Sequence, residues 1–167
     1  DAELLLAHIL NLTREYLFSH PEKNISEEKY SRLTSFLLKR KEGAPISHLL
    51  HRKEFFGLEF YVDEHVLTPR PETEILVETT LELLKNAKSS TILDIGTGSG
   101  CIAVSLAKNL SFSHHIYATD ISEKALKIAC KNAKKHNISV NAKSSDQKNK
   151  SITFVKSDLF HNIVLPK

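Results

Sequence analysis

The sequence predicts an α/β protein in which a small all-helical domain and a β-hairpin connector precede strands and helices alternating as in a parallel sheet. Three observations predict it. Apolar residues recur at helical spacing up to Gly43; an aromatic and β-branched run, Phe55, Phe56, Leu58, Phe60 and Val62, surrounds Gly57; and from Thr91 onward short apolar strands alternate with amphipathic helices. Together they divide the chain into residues 1–43, 44–68 and 69–167.

In the first part, Leu4, Leu5, His8, Ile9 and Leu12 fall on one helical face, and a second short helix from Arg14 to Phe18 stops before His20-Pro21. A third helix has Ser26 as its N-cap, Ile25 and Tyr30 as a hydrophobic staple, and Leu33, Leu37 and Leu38 as its stripe. Lys39, Arg40 and Lys41 suit the negative end of its dipole, and Gly43 its left-handed end. The connector carries the hairpin, over Glu54 to Val62. A helix then opens at Pro69-Arg70-Pro71-Glu72-Thr73-Glu74, with proline near its first position, acids in its first turn and Leu76, Val77, Thr80, Leu81 and Leu84 as its buried face. Strands are expected at Thr91–Ile95, His115–Thr119 and Ser151–Lys156, and helices at Cys101–Lys108 and Ser122–His136. The polar run from Asn141 to Lys150 reads as a surface loop insertion.

Composition narrows the class. With 41% hydrophobic and 26% charged residues the chain is neither disordered nor fibrous, and 167 residues allow one full core or two small ones. No apolar stretch approaches the roughly 18 to 20 residues that span a bilayer, and no leader pattern opens the chain, so a cytoplasmic protein is expected. Cys101 and Cys130 fall in apolar helical patterns and read as core residues. The net charge of +3 is too mild to indicate a polyanion partner. A chain without methionine that begins inside a helical pattern reads as a fragment.

The chemistry concentrates in Ile92-Leu93-Asp94-Ile95-Gly96-Thr97-Gly98-Ser99-Gly100, a strand that ends in three alternate glycines and runs into a helix. A P-loop would need Gly-Lys-Ser/Thr after a four-residue gap, and none follows Gly96. A dinucleotide fingerprint would need its third glycine where Cys101 stands. The remaining pattern, Asp-x-Gly-x-Gly-x-Gly, lets bare backbone pass close under an adenosyl and methionyl group that carries no phosphate, which points to S-adenosylmethionine. Asp120, at the end of the next strand, can accept from both ribose hydroxyls, and Asp158, at the end of the third, from the exocyclic amine of adenine, with Leu159 beside it. The candidate cofactor residues are thus Asp94, Gly96, Thr97, Gly98, Ser99, Gly100, Asp120, Asp158 and Leu159.

Each has a plainer reading. A glycine turn after a strand can be only a turn, an aspartate there only a helix cap, and Asp94 either orients the glycine loop or the methionine amine or is structural. His48 and His51 lack a second pair of ligands and read as surface or packing residues, so no metal is expected. Lys124, Lys127, Lys131, Lys134 and Lys135 line one side of a helix, as a solvated face or a nucleic-acid or ribosomal patch.

With Asp94 to Gly100, Asp120, Asp158 and Thr68-Pro69-Arg70-Pro71-Glu72-Thr73-Glu74, the sequence resembles the release-factor glutamine methyltransferase family, the HemK type. Asp1-Ala2-Glu3-Leu4-Leu5-Leu6 resembles that family's helical domain, and Gly43-Ala44-Pro45-Ile46-Ser47-His48-Leu49 with Glu54-Phe55-Phe56-Gly57-Leu58 its connector. The resemblance implies a Rossmann-like class I methyltransferase domain that transfers the sulfonium methyl to the amide nitrogen of a glutamine in a Gly-Gly-Gln motif. It also implies a release factor as protein substrate docked by the helical domain, no requirement for nucleic acid, and Leu67 as a substrate contact. The family's Asn-Pro-Pro-Tyr motif is absent from these 167 residues, so the catalytic groups and later strands are expected beyond Lys167, leaving the domain incomplete and this piece inactive alone. Two rival readings are a nucleic-acid amino-methyltransferase and a nonenzymatic cofactor-binding or ribosome-interacting module.

Overall fold

The structure is a computed structural model that describes residues 1–111, 113–141, 150–161 and 163. Most of the polar run between Asn141 and Lys150, and the last four residues, lie outside the described residues. By internal contacts the chain divides into two units, Asp1–Arg52 and Lys53–Lys167.

The first unit is helical: α1 (Ala2–Leu10), α2 (Arg14–Ser19), α3 (Glu27–Lys41) and α4 (Ile46–Leu49). Thr13 and Ser26 cap α2 and α3 by accepting the backbone N–H groups of Tyr16 and Lys29. At the end of α3 the N–H groups of Gly43 and Ala44 return to the carbonyls of Arg40 and Lys39, the paired closure that a left-handed residue permits. The sequence reading has no α4. That helix starts after Pro45 and packs against α3, so the division by contacts falls beyond Gly43, at Arg52. In α1 the buried residues are Leu5, Ala7 and Ile9, whereas Leu4 and His8, expected inside, are exposed. The expected stripe of α3 is likewise only partly covered: Leu33 is half-buried, but Tyr30, Leu37 and Leu38 are exposed. A 15-residue helix beside a 9-residue neighbour can bury only a narrow strip.

The second unit opens with the expected hairpin, β1 (Lys53–Phe55) against β2 (Leu58–Phe60). Phe56 and Gly57 both have positive φ, 51° and 68°, as the tight hairpin turns require. The Phe56 N–H donates to the Glu74 carboxylate at 2.9 Å and so ties the turn to α5 (Glu74–Leu84). A 3-10 turn over Pro71–Thr73 precedes α5, where the sequence predicts regular helix. Phe55 and Phe60 meet edge to face, ring centroids 6.2 Å apart, inside the main core. Val77 of α5 is buried there and Leu81 and Leu84 pack against it, but Leu76, about 100° round the helix from Val77, is 53% exposed.

The sheet has β3 (Thr91–Ile95), β4 (His115–Asp120), β5 (Ser139–Val140) and β6 (Ser151–Lys156) in the order β3-β4-β6-β5, every pair parallel. Crossover helices α6 (Cys101–Asn109) and α7 (Glu123–Lys135) pack against it and against each other. Apolar residues on nearly every side of α6, among them Ala103, Val104, Leu106 and Ala107, are buried, as befits a helix enclosed by sheet and helices. Strand β5 falls where the sequence reading places no strand. It pairs Ser139 with Ser151 and Val140 with Ile152, and Asn141, read as loop, accepts the Phe154 N–H at 2.8 Å. Cys101 is buried as expected; Cys130 is only half-buried. No helix among the described residues is long and apolar enough to cross a membrane.

Candidate functional site

Parallel pairing brings the ends of β3 and β4 level, with Asp94 opposite Ala118 and Ile95 opposite Thr119. The chain then folds back over the end of β4. The N–H groups of Gly96 and Thr97 both donate to the Thr119 carbonyl at 2.8 Å, and Gly98 N–H donates to Asp120 Oδ2 at 2.9 Å. The other carboxylate oxygen, Oδ1, accepts the Ser122 N–H at 2.9 Å, while the Ser122 hydroxyl caps α7 by accepting from Ala125 N–H. Asp120 thereby joins the glycine loop to the start of α7, and each of its oxygens retains acceptor capacity.

Asp94 accepts the Thr97 hydroxyl proton at 2.7 Å. Burial holds its carboxyl above the ordinary range; Thr97 and the backbone at Ala103 oppose that shift, and the nearby Asp120 charge adds to it. Burial likewise pushes the Cys101 thiol up to about 11, which makes it an inert neighbour of the loop.

The three glycines differ in what surrounds them. A side chain at Gly96 would meet nothing within 4 Å, and one at Gly98 only the Gly96 carbonyl at 3.9 Å, so both turn bare backbone toward open space. At Gly100 a Cβ would lie 3.0 Å from that of Ala129, where α6 begins against α7. Two glycines thus leave room for a ligand, and the third allows two helices to approach. Thr97 and Ser99 are buried, and the Ser99 hydroxyl has no hydrogen-bond partner of ordinary geometry among the described residues.

The structure brings Asp94, Gly96, Thr97, Gly98, Ser99, Gly100 and Asp120 together at the carboxyl end of the sheet. Asp158 and Leu159 follow β6, the next strand, and Ser157, just past its end, donates its N–H to the Asp120 carbonyl. Both are exposed, and Leu159 has a positive φ of 48°. Leu67 is 77% exposed, on a segment whose Val62 and Val66 pack against Ala125 and Ile128 of α7. The lysine face of α7 is partly engaged: Lys135 pairs with Glu59 at 2.7 Å and Lys131 Nζ lies 3.2 Å from the centroid of the Tyr61 ring. Among the described residues no group of three or more His, Cys, Asp or Glu side chains gathers to hold a metal ion.

Two contributors escaped the sequence reading. The Thr119 carbonyl acts through the backbone and leaves no mark in residue type. Asn132 is fully buried on the face of α7 shared with Ala125 and Ile128, and a polar residue at that spacing is a signal that could have found it.

Residues 1–50 match the PrmC N-terminal domain, and residues 71–160 match the methyltransferase small domain. The release factor glutamine methyltransferase of Koribacter versatilis is 42% identical over 146 residues, covering 87% of this chain and 52% of that protein. The protein of the same name from Buchnera aphidicola is 39% identical over 163 residues, covering 98% and 54%, and that from Coxiella burnetii 44% identical over 139 residues, covering 83% and 50%. The chain spans about half the length of the curated relatives it matches. Among solved structures, the delta-N METTL16 MTase domain superposes with a TM-score of 0.45 at 25% identity, over 67% of this chain and 47% of the other. The chain belongs to the methyltransferase small domain family, with a PrmC N-terminal domain ahead of that domain.

Proposed function

We propose that this protein uses S-adenosylmethionine to methylate the side-chain amide nitrogen of the glutamine in the Gly-Gly-Gln motif of a peptide-chain release factor. The observation that carries the reading is the bare backbone of Gly96 and Gly98, open to space in a loop that is hydrogen-bonded to two carboxylates, Asp94 and Asp120. A side chain at either glycine would fill the cradle, and two carboxylates beside it favour a cationic ligand over a phosphate.

In this reading Asp120 accepts the ribose hydroxyls with its remaining lone pairs, and Asp158 accepts the adenine amine with Leu159 against the ring. Asp94 and Thr97 hold the loop and face the methionine ammonium, while Ser99 and Gly100 set the path into α6. The bound group supplies an electrophilic methyl on sulfur. An amide nitrogen is a weak nucleophile, so the protein's share is alignment, worth roughly 7 to 11 kcal/mol in well-oriented reactions. Leu67 is assigned to the glutamine side of the site, and no catalytic residue is assigned among these 167 residues. Docking of the release factor falls to the helical unit, where exposed Tyr30 and Leu38 flank Thr34 along a groove of α3. The relatives' printed name supports this substrate. The reaction requires no direct contact with nucleic acid.

Calorimetric titration with S-adenosylmethionine tests the cofactor, and transfer of labelled methyl by the full-length protein tests the substrate. Incorporation into purified release factor, abolished when its glutamine is changed, is expected. Incorporation into nucleic acid alone would overturn the substrate assignment.

A further inference from the structure

The side chain of Asn132, in the second unit, has no exposure to solvent. Its Oδ1 accepts the Tyr61 N–H at 2.8 Å, and its Nδ2 donates to the Tyr61 carbonyl and to the Ser99 carbonyl, each at 2.9 Å. These partners determine the amide's orientation: an N–H must meet the oxygen, and two carbonyls must meet the nitrogen. Both Nδ2 hydrogens are used. Aspartate would keep the shape and the acceptor but set a carboxylate against two carbonyl oxygens; leucine would keep only the volume.

What Asn132 joins is more informative than its burial. Ser99 lies in the glycine run between Gly98, bonded to Asp120, and Gly100, pressed against Ala129. Tyr61 begins the stretch that leads to Leu67, and Val62 and Val66 in that stretch are buried against Ala125 and Ile128. Helix α7 therefore holds the glycine loop and the segment running to Leu67, and Asn132 bonds both directly.

We propose that Asn132 is a positioning residue that couples the glycine loop to the segment from Tyr61 to Leu67, so that filling the loop stiffens the segment presented to the substrate. This rests on reading residues 96–100 as the S-adenosylmethionine loop. The coupling runs through the Ser99 carbonyl, the Asn132 amide and the Tyr61 peptide. A polar group with only a structural role would lower stability when replaced and leave the response of Tyr61 to cofactor unchanged.

Amide exchange followed by NMR on the nitrogen-labelled full-length protein, with and without S-adenosylmethionine, tests the proposal alongside calorimetric titration of the wild type and Asn132→Asp. In the wild type, the Gly98 and Tyr61 amides are both expected to exchange more slowly with cofactor bound. In Asn132→Asp the affinity should fall roughly ten- to a hundredfold, and Tyr61 should lose its cofactor-dependent protection while Gly98, still bonded to Asp120, keeps it. A wild-type chain that does not bind the cofactor would overturn the functional reading and this inference with it. Binding that protects Gly98 and leaves Tyr61 unchanged, or unchanged affinity in a folded Asn132→Asp, would overturn this inference alone. Should Asn132→Asp fail to fold, the wild-type exchange measurement decides by itself.

Discussion

Gly96 and Gly100 share a left-handed backbone, φ 75° and 79°, but one faces open space and the other Ala129. Alanine at Gly96 should cost about 1 kcal/mol of stability, the strain of that conformation, and most of the cofactor affinity, because its methyl enters the cradle. Alanine at Gly100 adds overpacking and should cost roughly 2 to 4 kcal/mol, so urea unfolding and calorimetric titration should separate the two variants. Asp94 makes a different prediction. Burial raises its pKa above the unfolded value, so the folded state holds that proton more tightly than the unfolded chain does. The stability this residue contributes is complete below the unfolded pKa and is lost as pH rises through the raised one. Asp94→Asn should therefore melt higher than wild type at neutral pH, with the gap closing as pH is lowered through that window, while cofactor affinity falls. A gap that persists in acid would show that the charge of Asp94 is not its source.

Helix α7 carries more of the site than its length suggests, since it takes the Asp120 turn at its start, Gly100 at Ala129, and the loop and Tyr61 at Asn132. Its first turn depends on the Ser122 hydroxyl, so Ser122→Ala should cost about 1 kcal/mol and loosen the Asp120 turn, read as a lower melting temperature and weaker cofactor binding together. A loss of stability alone would confine Ser122 to capping. The long strands were legible as short apolar runs bounded by turn residues, and α7 because its lysines and alanines divide into two faces. Strand β5 and helix α4, two and four residues long, have no period to read. Asp94, the glycines and Asp120 announce themselves by adjacency and strand ends. Asn132 is marked only as a polar residue on an apolar helix face, and its role stays hidden because its partners are backbone groups 33 and 71 residues away.

Across the second unit as a whole, apolar surface is distributed unevenly. Val77, Leu81 and Leu84 face the core from one side of α5, yet Ile75, Leu76 and Leu83 on the other side are exposed, and a helix apolar on two sides calls for cover on both. At the sheet margins, β5 offers only two residues, whereas β3 offers five and pairs with β4 alone among the described strands. The isolated chain should consequently associate with itself in a concentration-dependent way. Sedimentation velocity should show this, and the double change Leu76→Glu with Leu83→Glu should reduce it without lowering the melting temperature; a monomer at every concentration would refute it. Strand order also sets a direction. From β3 the sheet grows to one side only, through β4 to β6 and β5, and the right-handed rule for parallel crossovers puts α6 and α7, which touch each other, on one face. A strand added beyond β3 would be reached only by a connection that reverses this travel and lays its helix on the opposite face. The loops on either side of that seam would diverge, and a crevice would open between them beside Asp94 and Gly96, made by the order of the strands before any side chain lines it.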